Sequence, residues 1–180
     1  AERNGLLRLA RTAPELLAAD FAVLMEPTDG VVEGGCQGTL RVELTARGRR
    51  AHSARAWTGE NAIHALGPAL DTLRSYVPRR PVVDGLEYHE GLQAVRVDGG
   101  VAGNVVPDEA VLTVNHRFAP DRSTDEALAY VRELFDGYEV TVTDLAAAAR
   151  PGLDRPAARD FVDRVGGEPR AKLGWTDVAR

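Results

Sequence analysis

His52, Glu26 and Asn104 are the residues of this chain whose types and settings best suit chemistry. His52 closes TLRVELTARGRRAH and is followed by Ser53 and Ala54, residues without bulk, so its imidazole can project uncovered from a sheet end. An imidazole placed there can donate to a developing oxyanion or hold a substrate, and it can equally be a solvated loop histidine. Glu26 ends the apolar run FAVLM, inside MEPTDG. Carboxyl ends of strands are where α/β domains build their sites, and Pro27 disfavours helix at Glu26. A metal-ligand role and a solvated or capping role both stay open for that carboxylate. Asn104 sits in the glycine-rich stretch VDGGVAGNVVPDE, where it could donate to a substrate carbonyl or only stabilise a turn. The stretch lacks the strand–loop–helix context of a phosphate loop.

The other histidines carry blander expectations. His64 falls mid-helix and suits a partly buried or interface position; His116 shares the apolar face of its strand and suits a core; His89, in DGLEYHEG, suits contact with water. No HExxH, no cysteine pair and no nucleophile-elbow serine occurs, and these residues alone do not make a three-ligand metal site. By itself the chain does not read as a complete enzyme.

The elements that would position these groups follow from hydrophobic period. TLRVELTAR, 39 to 47, alternates Leu40, Val42, Leu44 and Ala46 on one face of a strand. In GENAIHALGPALDTLRSYV, Ile63, Leu66, Leu70, Leu73 and Val77 form a helical stripe, with Asn61 as cap and Gly67-Pro68 as the point where straightness is at risk. LQAVRVDGG and AVLTVNHRF read as the next two strands, the latter with Leu112, Val114, His116 and Phe118 facing one way and Thr113, Asn115 and Arg117 the other. STDEALAYVRELFDG is a helix with a capping box from Ser123 to Glu126 and a stripe of Leu128, Val131, Leu134 and Phe135, ended by Gly137. YEVTVTDL is a fourth strand. The order β-α-β-β-α-β predicts an α+β, ferredoxin-like unit, a four-stranded antiparallel sheet with two helices on one face, over residues 35–145. Residues 1–34 and 146–180 read as fragments of an α/β domain: a helix broken at Pro14, FAVLM as a strand buried on both faces, and a helix over 155–167.

Composition narrows the function classes. With 180 residues, 44% hydrophobic and 27% charged, the chain has the balance of a soluble globular protein. Its net charge of −5 gives no general attraction to nucleic acid or to an anionic membrane. The single cysteine, Cys36, cannot close an internal disulfide, which points to a reducing, cytoplasmic compartment. No apolar run approaches a membrane span. The abrupt ends at Ala1 and Arg180 suggest a piece of a larger protein.

Taken together, MEPTDG, QGTLRVELTARGRRAHSA, GENAIHAL, AGNVVPDEAVLTVNHRFAP and GWTDVAR resemble, in order, the M20 family of metal-dependent amidohydrolases, nearest to its actinobacterial desuccinylase branch. The resemblance implies an α/β catalytic domain carrying two zinc ions per active site, with cobalt as the alternative, and an inserted ferredoxin-like lid that makes a homodimer. It implies Glu26 as a zinc ligand and His52 as a lid histidine serving the partner's active site as an oxyanion donor. It further implies Asn104 and Arg117 as substrate contacts, the arginine through a substrate carboxylate. Gly174, Trp175 and Thr176 match the substrate-side loop. The implied substrate is a small N-acyl amino acid. The family's remaining ligands and its general base would lie before Ala1 and after Arg180, Glu2 matching the helix after them, so the chain alone is expected to be inert, to hold no stable metal and to dimerise. Cys36-Gln37 departs from the family, where proteobacterial members have arginines. Acetylornithine deacetylases and M20 carboxypeptidases share the lid and stay open as alternatives; so does a non-catalytic ferredoxin-like dimerisation or ligand-binding module.

Overall fold

The computed structural model describes residues 5–19 and 21–179; Glu2 and the terminal Arg180 lie outside them. Its centre is a four-stranded antiparallel sheet of β1 (Gly38–Arg47), β2 (Gly91–Gly99), β3 (Glu109–Phe118) and β4 (Glu139–Ala146). The strands lie in the order β2-β3-β1-β4. β1 and β3 pair over their whole lengths, from Gly38 opposite Phe118 to Arg47 opposite Glu109. That order, with helices between β1 and β2 and between β3 and β4, is the ferredoxin-like split βαβ arrangement predicted from the period. Alternation puts Leu40, Val42, Leu44, Leu112, Val114 and Phe118 inside, each at most 1% exposed.

The helix between β1 and β2 departs from expectation. It forms in two pieces, α1 (Ala62–Ala65) and α2 (Gly67–Ser75), broken where Pro68 can offer no amide hydrogen. Asn61 caps the first piece, its Oδ1 accepting from the amides of Ile63 and His64. The buried row is Ala62, Leu66 and Ala69, with Leu73 packed against it. Ile63 (41%), Leu70 (45%) and Val77 (82%) are exposed instead, and so is His64. Two alanines allow the helix closer to the sheet than two larger side chains would, and this turns the larger ones outward.

The second helix, α3 (Thr124–Leu134), follows its reading closely. Ser123 Oγ accepts from the Glu126 amide at 3.2 Å and the Glu126 carboxylate accepts from the Ser123 amide at 2.7 Å. The Ser123 amide, together with the Ser123 hydroxyl, which donates to the same carboxylate at 2.9 Å, holds the Glu126 carboxyl below its usual range. Ala127, Val131 and Phe135 are buried against the sheet. Ser123→Ala is expected to cost about 1 kcal/mol, read as a lower urea midpoint at unchanged slope.

The flanks hold helices Gly5–Thr12 and Pro156–Val165 and a short parallel pair, Glu33–Gly34 beside Arg170–Ala171. FAVLM does not form the expected buried strand. Residues 21 to 25 are in no regular element, and Phe21, Val23, Leu24 and Met25 are 40% to 90% exposed. A strand needs partners for its amides and carbonyls, and no described strand pairs with this run. No helix among the described residues is long and apolar enough to cross a membrane.

Candidate functional site

His52 ends a two-residue strand, Ala51–His52, that pairs with Val105–Val106. This small ladder brings two of the candidates, His52 and Asn104, side by side. Asn104 precedes Val105, and its carbonyl accepts from the Ser53 amide at 2.9 Å. Both residues are exposed. The turn after His52 (Ser53–Thr58) begins with the imidazole itself, whose Nδ1 accepts from the Ala54 amide at 3.1 Å.

That bond decides what the imidazole can do. A nitrogen accepting a hydrogen bond carries no proton, so in the neutral ring the proton resides on Nε2. His52 therefore offers solvent an N–H donor on a side chain whose orientation is held by its own backbone. A group of that kind suits an oxygen that gains negative charge.

Glu26 lies elsewhere. It is exposed, and it lines a groove with Thr28, Glu33, Lys172 and Thr176. Lys172 and Glu33 form an ion pair at 2.6 Å within that lining. Thr176 is buried, and its carbonyl accepts from the Cys36 thiol at 3.9 Å. Trp175 donates its indole N–H to the Ala147 carbonyl, and Gly174 beside it is exposed. Arg117 lies on β3 opposite Gly91 and Thr39, half-buried and in neither group. Within one chain, then, Glu26 and Thr176 share a groove, His52 and Asn104 share a strand end, and the groove lining includes neither of the latter two. No group of three or more His, Cys, Asp or Glu placed to hold a metal ion occurs among the described residues. The metal centre implied by the family resemblance does not fit these residues by themselves, and Glu26 stands as an isolated ligand candidate.

Two features escaped the sequence reading. The first is the junction where the chain enters and leaves the ferredoxin-like unit. Cys36 and Ala149 exchange both backbone bonds at 3.0 Å, and Gln37 donates to the His89 carbonyl from its buried side chain. Tyr88, fully buried, donates to the Gly34 carbonyl at 2.8 Å. Gly35 has φ +60, and a Cβ there would meet the Ala149 carbonyl oxygen at 2.4 Å. Cys36 and Gln37 thus fill a packed joint. The second is a charge cluster. Glu90 is 4% exposed and accepts from both Nε and Nη2 of Arg79 and from the Ala119 amide. Arg122 lies at 3.7 Å from it. His116 is buried, facing the Gly91 carbonyl through Nδ1 and Arg122 through Nε2.

This cluster makes stability depend on pH with a definite sign. Burial lowers the His116 pKa, and its bond to Gly91 offsets this only in part. Burial opposes ionisation of Glu90, but the bonds from Arg79 and Ala119 outweigh it and hold that carboxyl below its usual range. For both groups the unfolded chain binds more protons, so stability is full above the unfolded pKa values and falls as pH falls. The chain should lose stability on acidification through about pH 6.5, the ordinary imidazole range, and again below the carboxylate range. Urea titrations at several pH values check this, and His116→Gln should remove the first loss only.

Comparison with known proteins adds the family. The sequence profile of the M20 peptidase dimerisation domain matches residues 35–141. The chain is 58% identical over 179 residues to a protein named putative succinyl-diaminopimelate desuccinylase from Mycobacterium tuberculosis, covering 98% of this chain and 51% of that protein. It is 48% identical over 183 residues to the succinyl-diaminopimelate desuccinylase of Corynebacterium glutamicum, covering 98% and 50%. The chain thus spans about half the length of these curated relatives. Among solved structures, the Bacillus cereus aminopeptidase PepT is similar in fold, with TM-score 0.69 at 17% identity, covering 99% of this chain and 50% of that one. An M20 family metallo-carboxypeptidase from Sulfolobus solfataricus gives TM-score 0.68 at 15% identity, covering 97% and 55%.

Proposed function

The chain belongs to the M20 peptidase family through its dimerisation domain, and on that premise we propose that it is the lid-bearing part of a metal-dependent succinyl-diaminopimelate desuccinylase. The reaction would hydrolyse N-succinyl-LL-2,6-diaminopimelate to succinate and LL-diaminopimelate, in the cytoplasm, on the path to lysine. The observation that carries this reading is the 58% identity maintained across 98% of the chain to a relative of that name. Relatives named probable carboxypeptidases match less well, at 34% identity over 80% of the chain and 37% over 52%.

In this reading residues 1–34 and 146–180 belong to the catalytic domain and 35–145 to the lid. Zinc is the proposed metal, with Glu26 as one ligand. Asn104 and Arg117 contact the substrate, the guanidinium fork suiting a carboxylate, and Gly174, Trp175 and Thr176 border it. His52 donates from Nε2 to the scissile amide oxygen as it becomes anionic. The separation of His52 from Glu26 into different parts of one chain agrees with a histidine that serves the partner protomer's site.

Two experiments test the proposal. The complete polypeptide containing this segment, loaded with zinc, should release succinate from the succinylated substrate faster than it releases acetate from acetylornithine. Preference for acetylornithine or for peptides would sink the assignment. Residues 1–180 alone should show no amide hydrolysis and should sediment as a dimer. β2 is an edge strand with Val95 and Val97 exposed, and Ile63 approaches Gly99 beside it, so this edge and the outer face of α1 and α2 are the proposed dimer surface. Leu70→Asp should shift the chain to monomer in analytical ultracentrifugation while its far-ultraviolet circular dichroism stays that of wild type, since Leu70 is 45% exposed in the single chain.

A further inference from the structure

The turn that His52 opens carries one long cationic side chain. Its sequence is SARAWT, so beyond small residues only Arg55 and Trp57 reach outward. The backbone leaves helical geometry at Arg55, with φ −131 and ψ 42, and the Arg55 carbonyl is tied by the Thr58 hydroxyl at 2.9 Å. Arg49 Nε in turn donates to the Thr58 carbonyl at 2.9 Å. The base of the Arg55 side chain is therefore anchored on one side by His52 and on the other by Thr58.

Its guanidinium, by contrast, is uncommitted. The nearby arginines are paired across the surface: Arg47 with Glu109 and Glu139, Arg49 with Glu60, Arg50 with Asp108. Arg55 is exposed and has no carboxylate partner among the described residues. A planar cation three residues from an N–H donor, in a turn that also carries the 80% exposed Trp57, is arranged to receive an anion attached to whatever the donor meets.

We propose that Arg55 is a specificity-determining residue that binds the free carboxylate at the far end of the substrate's acyl group, while His52 meets that group's carbonyl. This rests on the amidohydrolase reading above and deepens it. The ligand class is an amide whose acyl chain ends in a carboxylate two methylenes from the scissile carbonyl. The guanidinium would bind that carboxylate by charge-assisted hydrogen bonds and leave an uncharged acyl end without this contact.

The test uses the complete, metal-loaded polypeptide and two substrates that differ only at the acyl end, succinyl and succinamyl, in which the carboxylate is replaced by its amide. The readout is the ratio of kcat/KM for the two. Arg55→Ala and Arg55→Gln should lower that ratio about 10- to 100-fold, the range for one hydrogen-bonded charge pair, with the loss falling on the succinyl substrate. Arg55→Lys should restore part of it, because the charge returns without the fork. An unchanged ratio in Arg55→Ala, an equal loss on both substrates, or collapse of the ratio in Arg117→Ala but not in Arg55→Ala would each overturn the assignment while leaving the parent reading intact. A wild-type protein that hydrolyses neither substrate would overturn both.

Discussion

Replacing Glu90 by alanine should lower the stability of the chain by about 3 kcal/mol, the low end of the range for breaking a buried ion pair. The Glu90 carboxylate is 1% exposed, accepts hydrogen bonds from Arg79 and the Ala119 amide, and faces Arg122 at 3.7 Å. Its loss leaves three donors behind. Arg122, 16% exposed and stacked on the Tyr130 ring at 4.7 Å, cannot reach water freely, and it also faces His116. Arg79 is 43% exposed and keeps Asp121 at 3.0 Å, so its share of the penalty is small, which places the estimate at the low end. Glu90→Gln should cost distinctly less. It keeps the volume and a carbonyl oxygen for the Ala119 amide and Arg79 Nη2, and gives up the charge and the second oxygen that accepts from Arg79 Nε. Equilibrium urea unfolding of both variants measures the difference. If Glu90→Ala unfolds within 1 kcal/mol of wild type (about the worth of a single ordinary hydrogen bond), the cluster is not the stabilising element described.

That cluster also shows where the sequence could be read and where it could not. β1 and β3 were legible because their alternation is unbroken and both faces of the period are distinct, so Leu40 through Ala46 and Leu112 through Phe118 fell inside as expected. The capping box at Ser123 needed only residues three apart. Glu90 was hidden because its partners come from 11, 29 and 32 positions away, Arg79, Ala119 and Arg122. No local period encodes such a meeting. DGLEYHEG, 84 to 91, reads as a polar loop around His89, yet Asp84-Gly85 is a hairpin dipeptide, and both residues adopt positive φ between the paired Val82–Val83 and Leu86–Glu87. The helix stripe was misread for a different reason: Ile63, Leu70 and Val77 outrank Ala62 and Ala69 in hydrophobicity, but close packing on a sheet favours the smaller row. FAVLM was read as a buried strand from composition, and a strand's burial is a property of its neighbours.

For the site, sequence reading put His52 and Asn104 forward separately, and only the ladder between 51–52 and 105–106 makes them neighbours. The tautomer of His52 depends on a bond to the amide two residues later, which no residue pattern announces. Its consequence is testable. In the complete polypeptide His52→Ala should lower kcat by about 10²- to 10³-fold, the usual loss for one oxyanion donor, with KM little changed. The melting temperature should hold, because the ring is exposed and its one bond is to a turn amide. Whether the histidine serves its own protomer or the other is decided by mixing defects. Glu26→Ala and His52→Ala are each expected to be nearly inactive as homodimers. If His52 acts across the dimer, a co-expressed heterodimer has one site with Glu26 from one chain and His52 from the other. Random assembly then restores about a quarter of wild-type activity, since half the dimers are mixed and half of their sites are whole. If His52 acts within its own chain, no protomer in the mixture has both residues and nothing is restored.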